Sequence, residues 1–418
     1  MAVSVQLKPR GCSTICLPIE QSLYQRVVES PELFRQTLNR FYRDMSELFP
    51  EAFAQGYTLK DIRVSAKLGV RLRRIECKAT AESFSIRPSF VTPYMTALTD
   101  DVAHPLFLRR FGVPYWALAR VFGRGPMFWY RLEIGLARNS IVGTTVRHAE
   151  IPEHLLADEH HQRLQGVKIF IATTVAEGCC LGASVVDTAD EVALSAAYQT
   201  FQSEALNVEP NYVPKSVSVD GWKATRLAWL ALFPLICVLR CFLHGWLSIR
   251  DRCKKDKDFK AAGDKIWEAY EAPDRQTFGQ RLRRLREWAS KTLTGILQEK
   301  VLTLCGRKAE YARAYEQPEG HRTSNMLDRV MKPMNEYFQG CQHLHGEPEA
   351  AESHCRAWAL LHNFVPWSPA AVKANDGWRS PAERLNQHRY HEDWLHNLLV
   401  SASLAGFRHR ITPPQNQG

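Results

Sequence analysis

The 418-residue sequence predicts an α/β protein: a mixed sheet of order β-β-β-α-β-α-β, interrupted by an all-α insertion, with helical regions before and after it. Three observations predict it. Between Ile151 and Asp187 lie three runs rich in Val, Ile and Thr, separated by short polar turns, as in successive strands. Beyond them, helix-like and strand-like apolar stretches alternate, as they do where parallel strands are joined by helical crossovers. After Arg250, apolar residues recur every three or four positions for about seventy residues, which is helical spacing.

Residues 1–85 read as an N-terminal helical region of unassigned role. In "SPELFRQTLNRFYRDMSELF", Ser30 is placed to cap a helix and Pro31 to occupy its first turn. Residues 86–150 read as a helix-turn-helix region. "PYWALARVF" and "PMFWYRLEIGLAR" are short amphipathic helices separated by Gly123-Arg124-Gly125, with Pro126 opening the second. In DNA-binding versions of this motif the second helix enters the major groove. Arg109, Arg110, Arg120, Arg124, Arg131, Arg138 and Arg147 surround it, and the hairpin's one acid is Glu133. That excess favours DNA contact, through the first six of these arginines, over a plain helical hairpin inside a bundle.

Residues 151–248 form the first part of the predicted core. "HLLADEHHQ", "VKIFIATTVA" and "CCLGASVVD" read as strands, followed by a helix starting near Asp190. "VPKSVSVDG" reads as a strand, "WKATRLAWLALF" as a helix and "PLICVLRCFLH" as a buried strand. Ala228 to Leu247 is nearly all apolar and has the length of a membrane span. Pro234 in its middle, and Arg240 and His244 in its second half, oppose a spanning helix, since a mid-span arginine costs roughly 2.5–3.5 kcal/mol. Nothing at the N-terminus reads as a signal peptide, so the expectation is a soluble, cytoplasmic protein.

Residues 249–321 read as the all-helical insertion, bearing the cluster Arg281, Arg283, Arg284 and Arg286. Residues 322–345 read as a helix returning to the core and 346–418 as a C-terminal helical region, with the tail "PPQNQG" expected to be disordered. The eleven cysteines are scattered, several inside apolar runs, which suits a reducing compartment. Cys12 and Cys16 are spaced C-x3-C but have no second pair close by to complete a zinc site. Net charge is +10. Residues 1–150 carry 21 Lys/Arg against 13 Asp/Glu, and 249–322 carry 18 against 12, so two basic lobes flank a near-neutral centre. That distribution suits a polyanionic partner.

Asp158 falls on the first strand of the sheet and Asp220 just after the fourth. This placement resembles the ribonuclease H-like layout, in which strands one and four are neighbours and their acids meet. Clustered carboxylates repel, and bound divalent cations relieve the repulsion; oxygen ligands select Mg²⁺ or Mn²⁺. Glu159, by strand alternation, points to the opposite face.

The stretch "DGWKATRLAWLALFPLICVLRCFLH" has Asp220, then Phe233-Pro234, then Cys241 and His244 as C-x2-H, and "RTSNMLDRVMK" follows the insertion. On these motifs the chain resembles the DD(E/D) transposases of bacterial insertion sequences, of the mutator-like type. The resemblance covers residues 150–340 and, as a DNA-binding unit, 100–150; residues 1–85 and 340–418 carry no motif. It implies a catalytic triad of Asp158, Asp220 and Asp328 holding two Mg²⁺ (or Mn²⁺) ions. Aspartate replaces the family's glutamate at 328 and is one methylene shorter; Glu336, two helical turns on, is the alternative third acid. Cys241 and His244 would lie near the site with their role open. The implied partners are double-stranded DNA (terminal inverted repeats and target) and further copies of the chain, as a homodimer or larger synaptic complex associated with the nucleoid. A catalytically inactive transposase-derived DNA-binding protein, and a nuclease or resolvase without strand transfer, are the alternatives.

Overall fold

The computed structural model describes residues 12–148, 150–341, 344 and 346–407; the "PPQNQG" tail lies outside the described residues. The chain is mixed α/β with two mixed sheets.

The first sheet contains β1 (Thr14–Leu17), β2 (Tyr57–Val64), β3 (Arg71–Cys77) and β4 (Ser83–Pro88), in the order β1-β4-β3-β2. It corrects the expectation that residues 1–85 are helical. The helix Pro31–Asp44 does form, with the Ser30 hydroxyl accepting from the Leu33 N–H at 3.4 Å. Strand alternation is plain in β4, where Phe84 and Ile86 are buried. In β3 it is masked by Arg73, which sits inward beside Ile75 and Cys77. Its Nε donates to the Val28 carbonyl at 2.8 Å and its guanidinium lies over the Phe34 ring. A buried cation is tolerated only with such partners, and they come from the distant helical segment.

The second sheet contains β5 (His154–Leu164), β6 (Val167–Ala176), β7 (Cys179–Val186), β8 (Ser216–Val219) and β9 (Cys237–Arg240), in the order β7-β6-β5-β8-β9. β5, β6 and β7 are antiparallel; β8 and β9 run parallel to β5. The helices Glu191–Val208 and Lys223–Leu232 make the crossovers, the first capped by Asp190, whose Oδ1 accepts from the Val192 and Ala193 N–H groups. They cover the face that shows Leu155, Ala157, Val217 and Val219, burying Tyr198, Phe201 and Trp229 against it. The opposite face shows Leu156, Ile169, Ile171 and Val175, and is covered by the helices Asn325–Gly340 and Pro348–Phe364.

The apolar stretch from Ala228 divides into the end of one helix, β9, and the start of the helix Phe242–Cys253. The expected strand 234–244 is thus only four residues long, and His244 lies inside the next helix. Among the described residues no helix is long and apolar enough to cross a membrane.

The insertion builds its own core from Ile249, Ile266, Phe278, Leu282 and Val301. Phe242 closes it: its N–H donates to the Arg322 carbonyl at 3.1 Å and its ring packs on Tyr270 and Tyr311. The insertion therefore leaves and re-enters the core at one point, and the helix Asn325–Gly340 can land on the sheet. The C-terminal segment closes the N-terminal half: Leu360, Leu361, Leu395 and Leu398 share one core with β1, β3, β4 and the helix-turn-helix.

Candidate functional site

In the parallel pairing of β5 with β8, Leu156 stands opposite Ser218. Asp158 follows Leu156 by two residues on β5, and Asp220 follows Ser218 by two residues, just past the end of β8. Neighbouring strands lie about 5 Å apart and side chains alternate, so the two carboxylates share the face of Leu156. Asp220 Oδ1 accepts from the Trp222 N–H at 2.6 Å, a turn that uses Gly221 at φ 100°. Asp158 Oδ1 accepts from the Glu159 N–H at 2.9 Å.

That face is the one covered by the helix Asn325–Gly340, which carries Asp328, exposed, in its first turn. The start of the helix is pinned to the end of β9: the Ser324 N–H donates to Cys241 Sγ at 3.2 Å, and the Ser324 hydroxyl donates to Asp328 Oδ2 at 3.3 Å. Burial, then the charge of Asp220, pushes the Asp158 carboxyl up to about 6; Asp328 adds to the rise and His244 opposes it. Asp158 thus feels both other acids. Glu336, by contrast, is exposed, pairs with Lys332 at 4.0 Å and acts electrostatically on Arg110.

Glu159 points to the opposite face, as alternation requires. It accepts from the Tyr198 hydroxyl at 2.6 Å and from the Thr225 hydroxyl at 2.9 Å, and burial lifts it to about 7. These bonds tie both crossover helices to the central strand.

Cys241 and His244 form a coupled pair beside the acids. A hydrogen bond to Cys241 raises the His244 imidazole to about 9 against the effect of burial, and Asp158 and Asp220 add to the rise. Burial would raise the Cys241 thiol, but hydrogen bonds from His244 and Ser324 outweigh it and hold the thiol below its ordinary value. The imidazole is thus biased toward its charged form beside Asp158 and Asp220.

The three acids offer hard oxygen donors whose mutual repulsion a divalent cation would relieve. Among the described residues, no three His, Cys, Asp or Glu side chains are grouped closely enough to hold a metal ion as they stand. Cys12 and Cys16 are accordingly in no such group. A magnesium ion is ordinarily held by one or two carboxylates, with water and ligand oxygens completing its shell, so a ready-made cage is not required.

Arg240 enters the site unannounced by the sequence, where it stands out only as a charge that spoils a membrane span. It pairs with Val219 across β8 and β9 and binds Glu310 of the insertion at 2.6 Å. Its guanidinium packs on Gly221: a Cβ there would lie 2.3 Å from Arg240 Cζ. Gly221→Ala, in a left-handed backbone that disfavours side chains, is expected to displace the Asp220 turn and cost about 1–3 kcal/mol of stability. A urea titration of the variant checks this; an unchanged midpoint would contradict the close packing.

The helix-turn-helix forms with helices Tyr115–Phe122 and Pro126–Ile134, and Trp129 Nε1 donates to the Gly123 carbonyl at 3.1 Å across the turn. Arg120, Arg124, Arg131 and Arg138 are exposed. Arg109 is not a surface arginine: it is fully buried, bonded to Glu133 and to the Tyr337 hydroxyl, and stacked on Tyr115. Arg110 donates to His362 Nδ1 at 3.1 Å over the Trp358 ring, and burial lowers it to about 10. Both leave the set of candidate DNA contacts because their guanidinium groups are committed inside the fold. Arg147 is likewise paired, with Glu47 at 2.6 Å.

No known protein family matches the chain, and no curated protein matches it.

Proposed function

We propose that the chain is a metal-dependent DNA transposase with a ribonuclease H-like core, which cleaves the ends of its element and joins them to target DNA. The single observation that carries this is the parallel register of β5 with β8, in which Leu156 stands opposite Ser218: Asp158 and Asp220 each follow two residues later, on the side of the sheet covered by the helix bearing Asp328. The strand order β7-β6-β5-β8-β9, three antiparallel strands followed by two parallel ones reached through helices, supports the core assignment. So does the all-helical insertion between the second and third acids.

Asp158, Asp220 and Asp328 would hold two Mg²⁺ (or Mn²⁺) ions, which activate the attacking oxygen and stabilise the leaving one in phosphoryl transfer. In the first displacement, water oxygen bonds to phosphorus as the P–O3′ bond breaks. The freed 3′ hydroxyl then bonds to a target phosphorus as a target P–O bond breaks. His244, whose imidazole is biased toward its charged form, would meet a phosphate oxygen beside the acids. Asp220 is oriented by its own turn, and Asp328 by the Ser324 hydroxyl. The exposed Arg120, Arg124, Arg131 and Arg138 supply DNA contacts. Joining two ends requires two active sites brought together, hence a homodimer or larger complex on the DNA.

The test uses full-length protein, Mg²⁺ and DNA carrying the repeats that flank its own gene. Wild type is expected to cut and join; Asp220→Ala and Asp328→Ala are expected to lose on the order of 10³-fold or more, as when one member of a unit acting together is removed. Glu336→Gln is expected to keep activity. Wild type that binds DNA and cuts nothing would overturn the enzyme assignment. Cutting without joined products would make the chain a nuclease or resolvase instead.

A further inference from the structure

Two adjoining cavities of about 520 and about 300 Å³ lie between the first sheet and the helix-turn-helix. They share Lys67, Thr92, Tyr94 and Arg138 in their linings; Arg131 joins the larger and Arg87 the smaller. Among the described residues, no Asp or Glu lines either one. A groove ringed by cations with no acid to balance them attracts an anion.

Two buried polar atoms in the lining have no hydrogen-bond partner: Thr92 Oγ1, in a side chain that is 4% exposed, and Arg87 Nε. A buried polar group without a partner is costly and asks for an explanation; a ligand oxygen would supply one. The groove lip is also organised. The Lys67 ammonium donates to the Tyr94 carbonyl, and Arg138 lies 4.5 Å above the Tyr94 ring, which is half exposed. The lip is joined to the helix-turn-helix: Arg124, in the turn itself, donates to the Thr96 carbonyl of the lining at 3.2 Å, and Gly125 lines the larger cavity.

We propose that the DNA-contacting surface extends from the helix-turn-helix into this groove, where Lys67 joins Arg131 and Arg138 in binding phosphates of duplex DNA. Thr92 and Arg87 offer donors deeper in. The inference rests on the DNA-binding part of the function proposed above and gives the N-terminal sheet a role: it holds one wall of the groove. These contacts read no sequence, because phosphate oxygens are the same at every base pair.

Phosphate contacts have a signature in salt. Each one removed flattens the slope of log affinity against log salt by about 0.9. Full-length wild type, Lys67→Gln and Lys67→Ala/Arg138→Ala are titrated with end-repeat and unrelated duplexes across a salt series. The slope is expected to flatten by about 0.9 in the single variant and about 1.8 in the double, with equal loss of affinity for both duplexes. Lys67 is exposed, so the single variant is expected to fold, and thermal melting of each variant verifies that. Wild-type slope in Lys67→Gln would overturn the groove while leaving the transposase proposal standing; wild-type slope in the double variant as well would also remove Arg138 from the DNA contacts. Wild type that binds no duplex would overturn both. Tight binding of inorganic phosphate to wild type, lost in the double variant without any change in DNA slope, would make this a small-anion site and overturn its DNA role.

Discussion

Asp158→Asn is expected to abolish DNA cleavage and, at the same time, to make the metal-free protein more stable above pH 6. The Asp158 carboxyl is raised in the folded chain to about 6, by burial and then by Asp220. An acid whose folded value exceeds its unfolded one binds its proton more tightly when folded. Its stabilising effect is complete below pH 4 and is lost as pH rises through about 6. At pH 8 the wild type therefore carries the strain of an ionised, crowded carboxylate, and the neutral amide does not. That penalty is about 1–3 kcal/mol. Urea midpoints at pH 8 and pH 4 check it: the variant should gain at pH 8 and show no gain at pH 4. Magnesium should reverse the ranking, because a ligand that binds only the folded acids stabilises by about 2.7 kcal/mol at a hundredfold excess over its dissociation constant. A variant less stable than wild type at pH 8 without metal would show that the acids do not crowd one another.

Arg109→Met is expected to be the most damaging single change outside the acids, at about 3–5 kcal/mol, because it leaves Glu133 charged and unmatched in the interior. Both side chains have no solvent exposure, and Arg109 Nε lies 2.5 Å from Glu133 Oε2. Burial alone would raise the Glu133 carboxyl; the charge and hydrogen bond of Arg109 hold it below its ordinary value. The Tyr337 hydroxyl, from the helix that carries Asp328, also bonds Glu133. The pair therefore joins the helix-turn-helix to the helix that carries Asp328, and its loss should loosen both. Soluble yield and melting temperature should fall sharply for Arg109→Met and Glu133→Gln. The double change Arg109→Met/Glu133→Leu should recover much of the loss, since a well-packed apolar pair can replace a buried ion pair. Near-wild-type melting of Arg109→Met would mean the arginine is solvated after all.

Arg109 and Arg120 look alike in the sequence, two arginines around one hairpin, and only the folded chain distinguishes them. One meets an acid 24 positions away in a closed interior; the other faces solvent. Arg73 hid the first sheet for the same reason, since its inward position depends on carbonyls of a distant helix end. His244 was expected at the end of a strand and lies in a helix, because β9 stops where Cys241 caps the next element. Arg240 was legible only as a charge in an apolar run, although it packs against the Asp220 turn.

What the sequence determined by itself is the succession of elements in the second sheet and the insertion, with Asp158 on the first strand of that sheet and Asp220 just after the fourth. Periods of two and of about 3.6 are local properties, written in neighbouring residues. What the tertiary structure alone decided is which charges are buried, which face each acid shares, and that residues 12–148 close around the C-terminal helices. Burial and partnership depend on groups hundreds of positions apart, and a linear pattern carries no record of which of them will meet.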